Sequence, residues 1–273
     1  MQSFQNFEII VVNDGSTDHS QERIEKFISE SSISRKISLL NLEKSKHQPG
    51  AKVVRTFNKG LEHADLSQFD VICKYDADII FPDDYLFKIN SVFEKNPKAG
   101  MVSGIVKIKN DVLDYQSAFE FDNKKKYWRF EDISSKNHVR GPIKAYRKEC
   151  FQQMTGLRPV LGWDNIDVML AEMHGWEVIT IKDLWVKHLR PTAFQYKAQK
   201  AEKLGEYFYN IGLNYPLTFT SALKSAWKSK SFSEFFGIMK SYSKQKHERI
   251  LTKEEINYIR SLRKKALLGK IGL

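Results

Sequence analysis

Cysteine is almost missing from this chain, and long apolar runs are missing altogether. Only Cys73 and Cys150 occur in 273 residues. The first lies in an apolar, strand-like stretch and the second in a helix-like one, so both read as reduced core residues and not as a disulfide or a metal pair. Seven histidines without paired cysteines argue against a structural zinc site. No uninterrupted apolar run approaches the roughly 20 residues of a membrane span, and the first residues carry no signal-peptide pattern. The expected location is the cytoplasm. Internal repeats and low-complexity tracts are also absent, as is a Gly-rich phosphate loop near the start. That last absence weighs against a nucleotidyltransferase on a similar α/β sheet.

What is present is a globular composition, with 41% hydrophobic and 12% aromatic residues. The length suits one sizeable α/β domain with an appendage. Charge divides the chain in the same way. Residues 1–192 carry 28 Lys and Arg against 27 Asp and Glu, whereas residues 193–273 carry 16 against 6. The expected organisation is a near-neutral domain over 1–192 and a basic helical extension over 193–273.

The opening stretch FEIIVVNDGSTDHS predicts a βα unit. Ile9 to Val12 form an unbroken β-branched run suited to a parallel strand covered on both faces. Asn13, Asp14 and Gly15 supply turn chemistry, and Ser16 or Asp18 can cap a helix with Ile24, Phe27 and Ile28 on one side. Further strands are expected at Ile37 to Leu42, at Val71 to Tyr75 and in AGMVSGIVKIK, and a helix from about Val53 to His63. Pro82 with Asp83 and Asp84 is expected to start a helix. VRGPIKAYRKECFQQMTGL predicts a strand leading into a helix. GWDNIDVMLAEMHGW predicts a helix with Asp164 near its start and Gly175 at its end, and EVITI and LWVKHL predict two short strands. Pro191 would stop the second of these. Strand and helix alternate, as in a mostly parallel sheet flanked by helices.

Three acidic positions stand out. Asp14 follows a strand in an open α/β pattern, where ligands bind at strand ends, although an ordinary polar turn would look the same. Asp76 and Asp78 lie two apart just beyond the strand at Val71 to Tyr75, and two hard oxygen donors there suit Mg²⁺ or Mn²⁺ holding a diphosphate. Solvent-facing acids at a strand end are the plain alternative.

FEIIVVNDGSTDHS, CKYDADIIFPDDYL, VRGPIKAYRKECFQQMTG, GWDNIDVMLAEMHGW and VKHLRPT occur in the order and spacing of family 2 glycosyltransferases with the GT-A fold, which the chain resembles over about residues 3–195. The resemblance implies an inverting, metal-dependent transferase of the hexosyltransferase type. It would use a nucleotide-sugar donor, UDP by default, and a saccharide or lipid-linked acceptor in surface polysaccharide synthesis. Asp14 would contact the base or ribose, with Asn13 in place of the family's usual first Asp. Asp76 would lie near ribose or metal, and Asp78 would be the principal ligand of Mn²⁺ or Mg²⁺. His188 in VKHLRPT stands where some relatives place a further metal or diphosphate contact; a structural hydrogen-bonding role is the alternative. The family's Glu-Asp pair aligns with Trp163 and Asp164, which makes Asp164 the implied base. The loss of the Glu leaves Asp167, on the same helical face, as a competitor. Trp163 or Trp176 could form a platform for a sugar ring.

Relatives begin with a strand and a helix ahead of the FEIIVV strand. About 30–40 residues, the size of one βα unit, are therefore expected to be missing here, either because the start was assigned late or because this is a truncated form. The Ile9 strand would then be exposed along an edge, and an upstream extension would raise stability and activity. A non-catalytic truncated homologue is the alternative. In the tail, Phe232, Phe235, Phe236 and Met239 follow helical spacing, with Lys240, Lys244 and Lys246 after them. This basic amphipathic helix fits an anionic membrane surface, which would make the protein peripheral at the inner face of the membrane. Binding of nucleic acid through the tail is the remaining reading, and no recognised motif supports it.

Overall fold

Runs of β-branched and leucine residues become the strands, each bounded by turn residues. The computed structural model describes residues 2–45, 48–109, 127–132, 135–190 and 199–268. It opens with β1 (Ile9–Asp14), α1 (Ser20–Glu30), β2 (Ile37–Leu42), α2 (Ala51–Leu61), β3 (Val71–Tyr75), β4 (Ile79–Ile80), α3 (Tyr85–Lys95) and β5 (Ala99–Lys109). It continues through β6 (Trp128–Phe130), β7 (Ile143–Arg147), α4 (Lys148–Gln153), α5 (Trp163–Met173) and β8 (Glu177–His188). Four helices follow: α6 (Lys200–Asn210), α7 (Tyr215–Ser229), α8 (Phe232–Lys244) and α9 (Lys253–Leu268).

The main sheet runs β3-β7-β5-β8-β4, with β6 on β5. Only β5 and β8 pair in parallel within it; β7 is antiparallel to both β3 and β5, as β4 is to β8 and β6 to β5. The architecture is the expected α/β one, but its strands are more mixed in direction than strand-helix alternation predicts. The short strands β4 and β7 are each entered from a loop and not from a crossover helix, so nothing forces them to run parallel.

β1 and β2 form a separate parallel pair, in register from Ile9 with Ile37 to Asp14 with Leu42. Among the described residues no strand pairs with the second edge of β1. Ile9 is exposed and Ile10, Val11 and Val12 are half-buried, so the β-branched run is covered less than its composition predicts.

Other boundaries also differ from expectation. EVITI and LWVKHL are one strand, β8, because both halves pair with β5 across an irregularity between Ser103 and Ile105, where Lys182 and Asp183 stay exposed. Pro82 lies in the turn before α3, where its carbonyl accepts the Tyr85 N–H at 3.1 Å. α1 starts at Ser20, and Asp18 accepts the Ser20 N–H at 3.1 Å. Cys150 is buried and free as expected, whereas Cys73 is free but exposed. Of the stretch between Asp111 and His138, residues 111–126 and 133–134 lie outside the described residues, as do residues 191–198, Pro191 among them.

Two cores flank the main sheet. On one face Tyr85, Ile89 and Phe93 of α3 pack on Val102, Val106 and Val186. On the other, α2, α4 and α5 share a core with the last four helices, through Val54, Tyr146, Trp163, Leu170, Phe208, Ile238 and Ile259 among others. Residues on both sides of position 192 therefore bury one continuous apolar volume. The sheet thus fixes the ends of β3 and β8, and the start of α5, relative to one another.

Candidate active site

β3 delivers the acidic pair to the end of the sheet. Its pairing with β7 continues past Tyr75, where the Asp76 N–H donates to the Pro142 carbonyl at 3.0 Å. The buried ammonium of Lys74 grips Asp76 and donates to the Gly141 carbonyl at 3.3 Å. Both Asp76 and Asp78 remain partly exposed, at 32% and 30% of their side-chain surface.

Asp78 is aimed by a buried polar chain. β4 pairs Ile79 with His188, and the Leu189 N–H donates to the Asp78 carbonyl at 2.9 Å. This brings His188 Nε2 to 3.6 Å from Asp78 Oδ1. The other ring nitrogen, Nδ1, lies 3.2 Å from Glu131 Oε2, which in turn accepts from Arg140 at 2.8 Å. The His188 ring beside it holds the Asp78 carboxyl below its usual range, against burial. Burial alone would lower His188, but its bonds to Asp78 and Glu131 lift it to about 9. A ring nitrogen oriented from behind by a carboxylate is a common arrangement around metal ligands. Asp78 and Asp76 offer hard oxygen donors of the kind Mn²⁺ or Mg²⁺ accepts, and His188 would add its Nε2 only after losing the proton that its two carboxylate neighbours favour. Among the described residues no group of three or more His, Cys, Asp or Glu side chains is placed to hold a metal ion by itself.

The start of α5 adjoins the same turn. A Cβ on Gly141 would lie 3.4 Å from Asp164 Cβ and 3.2 Å from the Trp163 ring, so the loop that receives the Asp76 N–H also touches Asp164. Asp164 is half-buried in the first helical turn, where the helix N-terminus favours a carboxylate. Asp167 is different. It is 1% exposed and accepts from Lys144 at 2.7 and 2.8 Å, from Tyr146 at 2.7 Å and from the Val168 N–H at 2.7 Å. Burial raises its pKa, and Lys144 and Tyr146 pull against that rise. Every one of these partners lies inside the protein, so Asp167 presents no open oxygen edge to a substrate.

Trp163, standing where the family has Glu, is buried with the ammoniums of Lys74 and Lys144 at 5.2 and 5.4 Å from its ring centre. The ring thus stabilises two buried cations by its π-face and is not an open platform for a sugar. Trp176 is no candidate either. It precedes the end of β8 that pairs with Ala99, opposite the end that carries His188. The tail closes this side, because the Tyr207 ring lies where a Cβ on Gly162 would be, at 2.2 Å.

The turn after β1 is tied to α2. Gly15 has φ +62°, and a Cβ there would meet the Lys44 backbone at 2.3 Å, so only glycine closes this turn. Asn13 is buried, donates to Asn41 at 2.9 Å and accepts the Ser16 N–H at 3.1 Å. Those bonds make it a turn-holding residue. Asp14 accepts from Lys52 at 3.0 Å, Ser45 at 3.0 Å and Thr56 at 3.1 Å. Burial raises its pKa, but those bonds outweigh burial and hold it below the usual carboxylate range. α2, which supplies Lys52 and Thr56, follows Gly50, whose Cβ would lie 2.7 Å from Leu161 Cα just ahead of α5.

The sequence did not single out Lys74, Glu131, Arg140, Lys144 or Tyr146. Each is buried, and a buried ionisable residue in a strand-like or loop stretch is recognisable only once its partner is known. The one available signal was alternation. Lys74 and Lys144 fall on inward positions of apolar strands, where a lysine needs a fixed acceptor.

Comparison with known proteins identifies the family and the fold. The model of the family described as Glycosyl transferase family 2 matches residues 1–155. The poly-beta-1,6-N-acetyl-D-glucosamine synthase of Staphylococcus epidermidis is 32% identical over 103 residues, 38% of this chain and 22% of that protein. The probable glucomannan 4-beta-mannosyltransferase 2 of Oryza sativa subsp. japonica is 25% identical over 199 residues, 68% of this chain and 33% of that protein. The chain thus spans between a fifth and a third of the length of these curated relatives. Among solved structures, the mannosyltransferase PcManGT from Pyrobaculum calidifontis, in complex with GDP-Man and Mn²⁺, superposes with a TM-score of 0.54. The match covers 98% of this chain and 81% of that one at 17% identity. At that identity the likeness is one of fold.

Proposed function

The chain belongs to glycosyl transferase family 2, and from that premise we propose that it moves a sugar, with inversion, from a nucleotide diphosphate sugar to a hydroxyl of a saccharide or lipid-linked acceptor. The observation that carries this reading is the turn at Arg140 to Ile143, which touches both the candidate metal-binding Asp76 and the candidate base Asp164. Residues 1–192 would carry the chemistry. Residues 193–273 would support it by backing α5 with Tyr207.

Asp14 would accept from the base or ribose, held in place by Lys52 and Thr56, with Asn13 fixing the turn. Asp78, backed by His188 and Glu131, would be the principal ligand of Mn²⁺ or Mg²⁺, with Asp76 beside it. Such an ion, when bound, supplies Lewis-acid neutralisation of the leaving diphosphate. Asp164 would take the acceptor's hydroxyl proton as that oxygen bonds to the anomeric carbon. The bond from that carbon to the diphosphate oxygen breaks on the opposite face, and its electron pair leaves with the diphosphate. Inversion follows from that single displacement. Asp167 is assigned a structural part, since its oxygens are spent on Lys144, Tyr146 and Val168.

The relatives named for polysaccharide synthesis support a saccharide product. UDP remains the default nucleotide, and GDP-mannose is the next donor to try, given the mannosyl relatives. The test is to incubate the chain with Mn²⁺, UDP- and GDP-sugars and short saccharide acceptors, and to assign the product's anomeric configuration by NMR. An inverted glycoside supports the proposal; a retained one contradicts it.

A further inference from the structure

The apolar positions of the last helices do not all face inward. On α7, Tyr215, Phe219, Leu223 and Trp227 recur every fourth residue and are 58, 49, 47 and 85% exposed. On α8, Phe232 and Phe236 are 82 and 67% exposed, while Phe235 and Met239 of the same periodic run pack against the core. The rings of Phe219 and Phe235 meet edge to face at 5.2 Å, and Phe235 meets Phe236 at 5.3 Å. The two stripes are therefore one surface along the α7–α8 hairpin. Single exposed apolar residues need no explanation, but six on one hairpin, with Trp227 and Phe232 on either side of its tip, mark an interaction surface.

The charge carried by the two helices is almost all of one sign. α7 contains no Asp or Glu. The only acid of α8, Glu234, is held by Lys200 at 3.0 Å and Ser225 at 2.5 Å. Lys228, Lys230, Lys240 and Lys244 are exposed, and Lys240 and Lys244 continue the four-residue spacing begun by Phe232 and Phe236. Aromatic residues beside lysines, with no free acid among them, are the composition of a surface that rests in a headgroup layer. A second copy of the chain would bring the same positive charge to an isologous contact and be repelled. No described helix is long and apolar enough to cross a membrane, so the contact would be one of surface docking.

We propose that the α7–α8 hairpin docks the chain on an anionic lipid bilayer, with Trp227 and Phe232 entering the headgroup region and the neighbouring lysines meeting lipid phosphates. This inference stands apart from the donor site, whose residues lie on other elements.

The test is co-sedimentation of the full chain with phosphatidylcholine vesicles and with vesicles containing phosphatidylglycerol. Binding to the anionic vesicles alone is expected. Changing Lys228, Lys230 and Lys240 together to Gln should weaken it about 100-fold, from the usual contribution of each lysine near such a surface. The double variant Trp227→Ser, Phe232→Ser should weaken it about tenfold or more, with an unchanged melting temperature, because both side chains are largely outside the core. UDP titration of the same variants reports on the donor site separately. Equal binding to neutral and anionic vesicles, or a double variant that binds as the parent does, would overturn the proposal. So would a dimer that the double variant dissolves, or salt-sensitive binding to RNA without binding to vesicles.

Discussion

Lys144 Nζ lies 2.7 Å from the main-chain carbonyl of Asp164 and holds Asp167 through both carboxylate oxygens. One buried ammonium from β7 thus fixes the first turn of α5, where the candidate base sits. Replacing it by Met would leave Asp167 in the core without its ion partner, held only by Tyr146 and the Val168 N–H. Breaking a buried pair in this way costs about 3–5 kcal/mol, whereas removing both charges together is much milder. Urea unfolding should show a large loss for Lys144→Met and a substantial recovery for Lys144→Met with Asp167→Leu. Equal losses in the two variants would mean that the pair is not the source of the effect.

Asp164→Asn keeps shape and helix position but removes the proton acceptor. Turnover should fall about 100- to 10,000-fold, the usual range for a general base. Nucleotide affinity should stay as in the parent, since the role proposed for Asp164 is toward the acceptor. Steady-state kinetics beside nucleotide titration separates the two quantities, and an unchanged turnover number would remove Asp164 from the mechanism.

Glu131 touches no substrate in this account; it orients His188, which faces Asp78. Glu131→Gln should weaken Mn²⁺ affinity in the presence of nucleotide about 10- to 100-fold, as is typical when such a supporting group is lost. Calorimetric Mn²⁺ titration would show it.

Asp14 gives a pH signature. Its folded carboxyl is held below the usual range by Lys52, Ser45 and Thr56, so it contributes stability above the unfolded value of about 4. That contribution disappears as pH falls through the folded value. The stability gap between the parent and Asp14→Asn should therefore be constant near neutrality and close below about pH 4. Urea midpoints across that range would reveal a gap that fails to close.

Much of this was legible in the chain, for identifiable reasons. β2, β3 and β5 fall on their expected residues because turn chemistry brackets each apolar run. β8 was divided because the polar Lys182 and Asp183 interrupt its pattern, and only the pairing with β5 shows a bulge there. The acidic residues of the candidate site stand out in the sequence because they lie at strand and helix ends. The groups that hold them were hidden, since Glu131 lies in a polar stretch without period and the partner of Lys144 is 23 residues away. The run of Phe232, Phe235, Phe236 and Met239 divides between core and surface, because a helix packed on two neighbours still leaves one flank open.

The most direct test of the central claim is calorimetric titration of UDP and GDP into the chain, with and without Mn²⁺, repeated on Asp78→Ala. The account predicts nucleotide binding that requires the ion and is lost in the variant. Binding indifferent to Mn²⁺ and retained in Asp78→Ala, or no binding to either protein, would contradict it.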